Sequence, residues 1–338
     1  MPRTGGWRRL GSSGRFRYVD ARGNAIKDDE KLERIRALVI PPAWKDVWIS
    51  PKSNAKLQAT GVDAAGRRQY LYHSNFRAQQ EQAKFDKLIR FAERLPELRA
   101  ATAEHMGHEE LDRLRVSAIA TRLINAGWFR VGSERYAKES RTYGITTLRK
   151  GHVRVRGNRI MFDFVAKHRT IVRTTLVDED LADGVKELLS LRGGRRMFRY
   201  EWDGGIYSLT GARLNDYVRE FLGEEFTAKD FRTWGGTLIA AIAFAEQGPP
   251  ETATAAKKVI PAVMRRVGKE LGNTPAVARS SYVSPAVIDQ YLDGRTIDDF
   301  RPRHLRVVRG RDVGLDPEEQ ALLSLLRSWK IRQARAAA

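Results

Sequence analysis

Cysteine is absent from this 338-residue sequence. Its absence excludes disulfides, thiolate metal ligands and a cysteine nucleophile, and it is consistent with a reducing compartment. No apolar run approaches the length of a membrane-spanning helix, and the N-terminus lacks the apolar segment of a secretory signal. We therefore expect a cytoplasmic protein that has no membrane partner.

Motifs for nucleotide hydrolysis and for metal binding are also missing. There is no glycine-rich phosphate loop, no dense carboxylate set for two metal ions and no zinc-type ligand spacing. The one cluster that resembles metal ligands consists of His105, His108, Glu109 and Glu110. It stands at a predicted helix start, where acidic side chains favour the positive end of the helix dipole. We expect no metal and no cofactor.

Positive charge, in contrast, is abundant. The sequence has 61 Lys and Arg against 41 Asp and Glu, which gives a formal net charge of +20. A polyanion is the expected partner, and nucleic acid fits best because the basic residues are spread along the chain and mixed with aromatics. A membrane surface is the weaker alternative, because no single basic run is concentrated in one place.

Length and composition predict two domains of an α+β protein. With 42% hydrophobic residues the chain can bury a substantial core. Residues 1–77 are predicted to form a small β-sheet domain with short helices. Residues 78–338 are predicted to form a larger, mainly α-helical domain that contains a small three-stranded sheet.

In the front domain, a helix is predicted at residues 28–38, and strands at residues 16–19, 44–50, 55–60 and 67–73. The first dozen residues, rich in Gly and Arg, are expected to be loose. Alternation in the last strand places Gln69 on one face and Tyr70 and Tyr72 on the other. Amide, cationic and aromatic side chains of this kind can read a duplex groove, although an ordinary half-buried edge strand fits this pattern equally well.

In the rear domain, the pattern changes to helical spacing. A long helix is predicted from about residue 75 to Leu95, where Pro96 should end it. Strands at residues 152–156, 159–165 and 170–176 form the three-stranded sheet, and Lys167 lies in the loop between the last two. A long cation there can reach a ligand held by the helices, while a solvated turn lysine is the alternative.

Two further positions carry candidate chemistry. Arg232 lies on the first turn of a helix predicted at residues 228–246, and the unpaired N–H groups of that turn form a natural seat for a phosphate. Tyr282 ends a short helix that Thr274 caps and Pro275 begins. A tyrosine at the end of such a helix can act as a nucleophile, or it can simply close a hydrophobic contact.

These residue types suffice for phosphoryl transfer without a metal ion. The reaction needs a nucleophile, cationic donors for the charge that grows on the nonbridging oxygens, and an acid to protonate the departing alkoxide. Tyrosine, arginine and lysine supply these three functions. The tyrosine gains from nearby guanidinium groups, because its reference pKa of about 10 keeps it protonated near neutrality.

The chain resembles the type IB DNA topoisomerases in their short bacterial and poxvirus-like form. The resemblance covers nearly the whole chain, and the order and spacing of the matching stretches make it specific. These stretches are Ile40–Trp44, Gln58–Asp63, Gln69–Tyr72, Phe129–Lys138, Tyr143–Leu148, Phe164–Lys167, Thr227–Trp234 and Gly272–Tyr282.

The resemblance implies a reaction and a set of roles. Tyr282 would attack a backbone phosphodiester to leave a 3′-phosphotyrosyl link and a free 5′-hydroxyl, and the strand would rotate before religation, without ATP. Lys167 would be the principal acid, and Arg130 and Arg232 would stabilise the phosphorane. Asn273 would hydrogen-bond a nonbridging oxygen. Many family members have His at this position, and an amide cannot titrate there.

Resemblance also implies the DNA contacts of a monomer that clamps double-stranded DNA and associates with the nucleoid. Candidate DNA-binding residues are Gln69, Tyr70 and Tyr72 in the front domain, and Ser133, Arg135, Tyr136 and Thr210 in the rear domain. A tyrosine recombinase shares the catalytic constellation on a related fold and is the alternative enzyme. A basic chromatin-like binder is the non-enzymatic alternative.

Overall fold

The computed structural model describes residues 5–12, 14–301 and 313–337 of the chain. The chain divides into two compact units, Met1–Lys84 and Phe85–Ala338. The boundary predicted after residue 77 falls inside helix α2 (Ser74–Met106). Within the described part of the chain, no helix has the length and apolar character required to span a membrane.

The described residues of the first unit form a five-stranded antiparallel sheet, one complete helix and the beginning of α2. Its strands are β1 (Trp7–Leu10), β2 (Arg17–Val19), β3 (Lys45–Ile49), β4 (Leu57–Val62) and β5 (Arg68–Tyr72), in the order β2-β1-β3-β4-β5. Helix α1 (Asp29–Ala37) begins as predicted, because the carboxylate of Asp28 accepts the Lys31 N–H at 3.0 Å. A small core of Trp7, Ile35, Val47, Ile49 and Ala59 holds the helix on the sheet.

The first dozen residues were expected to be loose, and this is wrong for residues 5–12. Residues 1–4 lie outside the described part of the chain. Strand β1 lies between β2 and β3, and Trp7 is buried in the core. The Arg9 guanidinium donates to the carbonyls of Pro41 at 3.1 Å and Trp44 at 2.6 Å. These partners lie more than thirty residues away, so the local Gly- and Arg-rich composition does not indicate the strand.

The second unit contains most of the helices. After α2, they are α3 (Arg113–Gly127), α4 (Glu134–Glu139), α5 (Glu179–Ser190), α6 (Gly211–Leu222), α7 (Asp230–Gln247), α8 (Ala253–Leu271), α9 (Pro275–Ser281), α10 (Pro285–Leu292) and α11 (Pro317–Ala337). One continuous core joins them, and α7 lies deep in it. These helices and the sheets confirm the predicted α+β fold.

The predicted three-stranded sheet is confirmed as β6 (Val153–Arg156), β7 (Arg159–Val165) and β8 (Ile171–Val177), antiparallel and in sequence order. A second antiparallel pair, β9 (Arg199–Trp202) and β10 (Gly205–Ser208), was not predicted. Its turn is Asp203-Gly204, both residues with positive φ, which is typical of a two-residue hairpin turn.

The end predicted for the long helix is wrong. Pro96 lies inside α2, which continues for ten residues to Met106. Proline removes one helical hydrogen bond and usually ends or kinks a helix. Here Leu95 and Leu98, on either side of the proline, are both buried in the core. Their packing favours continuation of the helix over the local preference of proline.

Candidate active site

The five predicted catalytic residues come from five separate segments of the second unit. Arg130 follows α3, Lys167 lies between β7 and β8, Arg232 lies in the first turn of α7, Asn273 follows α8 and Tyr282 follows α9. Four of them, all except Asn273, line one open groove of about 410 Å³. Asn273 contacts this group through a hydrogen bond from Arg130.

The backbone of Tyr282 is held against helix α7. Its N–H donates to the carbonyl of Ala278 at 3.0 Å, which makes Tyr282 the C-cap of α9. Its carbonyl lies 3.1 Å from the Thr237 hydroxyl, which also accepts the Ser284 N–H at 3.1 Å. A Cβ atom on Gly236 would lie 2.8 Å from the Tyr282 carbonyl oxygen. Only glycine at position 236 therefore allows this close approach.

The Tyr282 side chain lies among cations. The guanidinium carbon of Arg232 lies 5.0 Å from the centre of the phenol ring. Burial raises the pKa of Tyr282, but the charges of Arg232 and then of Arg130 and Lys229 lower it by more, so the net pKa lies below its usual value. The cluster therefore favours the phenolate, which is the nucleophilic form of a tyrosine.

Arg232 is almost wholly buried, with only 4% of its surface exposed. It donates to the carbonyl of Trp128 and, at 2.6 Å, to that of Leu271. Its Nε is buried and has no hydrogen-bond partner among the described residues. Burial lowers the pKa of Arg232, and the neighbouring Tyr282 raises it. A buried cation that contacts backbone carbonyls and a phenol, with no carboxylate partner among the described residues, is the kind of group that an anion stabilises.

Arg130 is half-buried beside Arg232. It donates to the carbonyl of Gly272 at 2.9 Å and to Oδ1 of Asn273 at 2.7 Å. Burial, and then the charge of Arg232, lower the pKa of Arg130 to about 10, so it stays protonated at neutral pH. Its backbone is fixed as well, because its carbonyl accepts the Ile145 N–H at 2.8 Å.

Asn273 is bound to the protein at both ends of its amide. Its Oδ1 accepts from Arg130, and its Nδ2 donates to the carbonyl of Leu271 at 3.2 Å. Its backbone N–H donates to the carbonyl of Gly268 at 2.7 Å. Gly272, which precedes it, is the C-cap of α8 with a φ of 60°. This left-handed turn brings Asn273 back toward the two arginines.

Lys167 differs from these residues because it is exposed. It begins a short 3₁₀ turn, Lys167–Arg169, in which His168 and Arg169 have φ values of 60° and 57°. A hydrogen bond of 2.7 Å from the Ala166 N–H to the carbonyl of Thr170 joins the two residues that flank this turn. Lys167 thus reaches the groove from a tight surface turn at the edge of the sheet.

The N-terminus of α7, which the sequence indicated as a seat for a phosphate, carries the Asp230 carboxylate in its first turn. The Asp230 carboxylate accepts from the Thr227 N–H at 2.8 Å and from the Thr227 hydroxyl at 3.1 Å. Asp230 also pairs with Lys87 at 2.8 Å. Asp230 therefore adds negative charge at this end of the helix, and the positive charge of the groove comes from its lysine and arginine side chains.

Sequence reasoning missed three residues that shape the groove: Lys229, Gly236 and Thr237. Lys229 lines the groove and lowers the pKa of Tyr282. Its signal was available, since it stands three residues before Arg232, one helical turn away. The contacts of Gly236 and Thr237 with Tyr282 join positions more than forty residues apart, and no local pattern indicates them.

The predicted DNA-binding residues of the first unit lie on two faces of β5. Tyr70 and Tyr72 are exposed, and their rings stack with centroids 6.3 Å apart. Gln69 points the other way, as predicted, and its Nε2 donates to the Asp63 carboxylate at 2.8 Å. The two tyrosines therefore offer one aromatic surface, and Gln69 is held by Asp63 on the opposite face.

The predicted DNA-binding residues of the second unit also lie in different surroundings. Ser133 and Tyr136 line the groove beside Tyr282. Arg135 is exposed and pairs with Glu139 at 2.9 Å. The Thr210 hydroxyl accepts the N–H of the residue three positions later at 3.3 Å, so it is the N-cap of α6.

The two histidines of the cluster that resembles metal ligands form contacts with other side chains. His105 Nδ1 lies 2.8 Å from the Tyr217 hydroxyl, and His108 Nδ1 lies 2.8 Å from the Asp112 carboxylate. Among the described residues, no three His, Cys, Asp or Glu side chains are grouped so that they could hold a metal ion.

Comparisons with known proteins agree on one family. The profile described as "Eukaryotic DNA topoisomerase I, catalytic core" matches residues 73–296, and "Bacterial DNA topoisomerase IB, N-terminal domain" matches residues 15–63. DNA topoisomerase 1B of Acanthamoeba polyphaga mimivirus is 32% identical over 288 residues, 83% of this chain and 85% of the relative. DNA topoisomerase 1B of Vaccinia virus (strain Copenhagen) is 22% identical over 282 residues, 81% of this chain and 87% of the relative.

Proposed function

This chain belongs to the type IB DNA topoisomerases, isomerases that relax supercoiled duplex DNA, and we propose that Tyr282 is its nucleophile. The phenol oxygen attacks the phosphorus of a backbone phosphodiester, and the bond from phosphorus to the 5′-oxygen breaks. The phenol proton passes to water, and the departing 5′-oxygen takes up another proton. The 3′-phosphotyrosyl ester conserves the energy of the broken bond, so the free 5′-hydroxyl can attack it in reverse without ATP.

The observation that carries this proposal is the pair of guanidinium groups beside Tyr282, one half-buried and the other buried. Neither Arg130 nor Arg232 pairs with a carboxylate among the described residues, and both are held by carbonyl and amide oxygens. Donors that are already in place before the reaction cost no reorganisation when charge grows on the nonbridging oxygens. Arg130 and Arg232 would thus hold the phosphate in the groove, with Asn273 hydrogen-bonded to Arg130.

Lys167 is proposed as the general acid. An alkoxide is a far worse leaving group than a tyrosine phenolate, so the 5′-oxygen needs a proton as its bond to phosphorus breaks. Lys167 also lines the groove. In contrast to the arginines, it is exposed and lies on a surface turn. A flexible ammonium there can approach the leaving oxygen once DNA is bound.

The proposed DNA contacts extend to both units of a monomer that holds one duplex as a clamp. Ser133, Arg135, Tyr136 and Thr210 would contact DNA from the second unit, and Gln69, Tyr70 and Tyr72 from the first. We propose that this monomer acts on the nucleoid in the cytoplasm. A cleavage rate that rises with protein concentration, after every DNA molecule is already bound, would contradict action as a monomer.

The activity is tested by plasmid relaxation with EDTA present and ATP absent. We expect the purified protein to relax both negative and positive supercoils into a ladder of topoisomers, because torsion drives the rotation. A strict requirement for Mg²⁺ or ATP would contradict the proposal. A tyrosine recombinase, the alternative enzyme, would instead exchange strands between two duplexes with a second protomer.

A further inference from the structure

We propose that the hairpin of β9 and β10 is a surface that binds unpaired DNA bases, which stack on Trp202 and Tyr207. Both side chains are exposed, with 65% of the surface of Trp202 and 46% of that of Tyr207 accessible. The groove around Tyr282 is lined by other residues. The proposal therefore goes beyond the cleavage reaction, and it does not depend on which residue is the nucleophile.

The register of the hairpin places the two exposed rings on one face. Tyr207 lies opposite Tyr200, and Trp202 follows Tyr200 by two residues, so all three side chains leave the strands in the same direction. Gly205 lies opposite Trp202. A Cβ atom on Gly205 would lie 3.0 Å from the ring of Tyr207. Glycine at this position thus leaves room for the Tyr207 ring on the face that Trp202 shares.

The aromatic face has a fixed base. Tyr200 is buried, and its ring stacks on that of Tyr207 with the centroids 6.0 Å apart. Arg199 is also buried, and its guanidinium donates to the carbonyls of Leu191 at 2.7 Å and Arg192 at 3.1 Å. These contacts hold the hairpin on the body of the second unit. A surface that is already ordered loses little conformational freedom when a ligand stacks on it.

The charge beside this face is positive. The guanidinium carbon of Arg213 lies 5.5 Å from the centre of the Tyr200 ring, and this exposed arginine has no carboxylate partner among the described residues. Glu201 belongs to the opposite face, where it is paired with Ile206, and Asp203 lies in the turn. Aromatic rings with an arginine beside them are a combination that binds the bases and phosphates of single-stranded nucleic acid.

The position of the hairpin favours DNA over a protein as the partner. Strand β10 leads through one residue to Thr210, a predicted DNA contact, and Arg213 lies in the first turn of the helix that Thr210 caps. The face is therefore continuous with the proposed DNA interface. An unpaired strand supplies flat bases for the rings and a phosphate for Arg213, whereas the base faces of a duplex are covered by their neighbours.

Binding of a fluorescent oligothymidylate, which forms no duplex with itself, tests the proposal. All variants are made in the Tyr282→Phe protein, so that binding is measured apart from cleavage. Trp202→Ala should weaken binding by roughly 5- to 150-fold, the range expected when one base loses its aromatic partner. Tyr207→Ala should have an effect in the same range. Affinity for a blunt duplex of equal length should stay unchanged in both variants.

Ile206→Ala is the matched control, because Ile206 is 48% exposed on the same hairpin but on the opposite face. It should bind both probes as the Tyr282→Phe parent does. Arg213→Gln should weaken binding of the oligothymidylate and lower its dependence on salt. Trp202→Ala should leave the salt dependence unchanged, since stacking releases no counterions. Thermal unfolding of each variant shows that the compared proteins are folded.

Three outcomes would overturn the proposal. Equal losses in Ile206→Ala and Trp202→Ala would mean that the hairpin affects binding only through its fold. Equal losses for the oligothymidylate and the duplex would mean that the rings contact paired DNA. Unchanged affinity for both probes in Trp202→Ala and Tyr207→Ala would leave the face to a protein partner. Retention of a covalent adduct by Tyr282→Phe would instead refute the proposed function, independently of these results.

Discussion

The two sides of the groove are built differently. Arg130 and Arg232 are partly or wholly buried, and backbone carbonyls of the turns after α3 and α8 hold them in place. Lys167 is exposed on a surface turn of the small sheet. The groups assigned to charge stabilisation are thus fixed before DNA arrives, whereas the group assigned to proton transfer can move.

This difference follows from the two tasks. Stabilising a charged transition state is most effective when the donors need no reorganisation. A proton donor must come within hydrogen-bond reach of an oxygen that moves away as its bond breaks. The rigid arginines and the mobile lysine would both act in cleavage, and both would act again in religation.

The largest expected effect is at Tyr282, the proposed nucleophile. Tyr282→Phe should abolish the covalent adduct, while duplex affinity stays close to wild type because one hydroxyl is removed from a large cationic surface. The measurement is denaturing electrophoresis of labelled DNA, beside a binding titration. Tyr136→Phe, which removes a hydroxyl from another tyrosine of the groove, should still form the adduct. An adduct in Tyr282→Phe would show that another residue is the nucleophile.

The next effect separates the lysine side from the arginine side. Lys167→Ala should slow cleavage of ordinary DNA by about 10²- to 10⁴-fold, the usual contribution of general acid catalysis. Sulfur in place of the bridging 5′-oxygen makes a leaving group that needs no proton, so this substrate should restore most of the rate. Arg232→Ala should recover far less, because its proposed contact is with the nonbridging oxygens.

Arg169→Ala is the control for Lys167, since it removes a cation from the same turn. It should cleave both substrates at similar rates relative to wild type. If the sulfur substrate does not rescue Lys167→Ala, Lys167 only binds phosphate, and Arg130 becomes the candidate acid.

A smaller effect tests whether the rigid side depends on geometry. Gly236→Ala places a methyl group 2.8 Å from the Tyr282 carbonyl oxygen and 2.9 Å from its Cβ, so Tyr282 must shift. We expect cleavage to slow by up to about 10²-fold, the cost of a displacement of about 1 Å at a reacting group. Gly151→Ala is the control, since its Cβ would meet no atom within 4 Å. An unchanged rate in Gly236→Ala would mean that the position of Tyr282 is not limiting.

The smallest effect concerns Thr210, a predicted DNA contact that also caps α6. Thr210→Ala should lower the free energy of unfolding by about 0.5–2 kcal/mol through loss of the cap. Thr210→Asp keeps a capping oxygen but adds negative charge, so it should weaken DNA binding more than Thr210→Ala does. Equal DNA affinity in the two variants, measured by titration, would indicate that Thr210 is only a cap.

Local signals made much of the fold predictable. The cap at Asp28, the period-two strands of the small sheet and the Thr274-Pro275 helix start are all read from neighbouring residues. The course of α2 through Pro96 and the strand at Trp7 were not predictable in this way. In both places tertiary packing outweighs the local preference of the sequence.

The same division applies to the site. The family resemblance indicated the five candidate residues, and their assigned roles and the DNA contacts remain predictions. The carbonyls that hold Arg232, and the approach of Thr237 to Tyr282, depend on backbone turns that are distant in sequence. Hydrogen bonds to backbone atoms leave no trace in residue identity at the accepting position, which explains why these partners were missed.

The seat of Tyr282 against α7 has a mechanical consequence. In the proposed reaction the 3′ end stays bound to the phenol oxygen while one DNA strand rotates, so tension on that end would act on Tyr282. Thr237 and Gly236 back its main chain, and both lie in the most deeply buried helix of the second unit. The core would therefore bear this tension instead of the two turns of α9, and the 3′-phosphotyrosyl end would stay in place for attack by the 5′-hydroxyl.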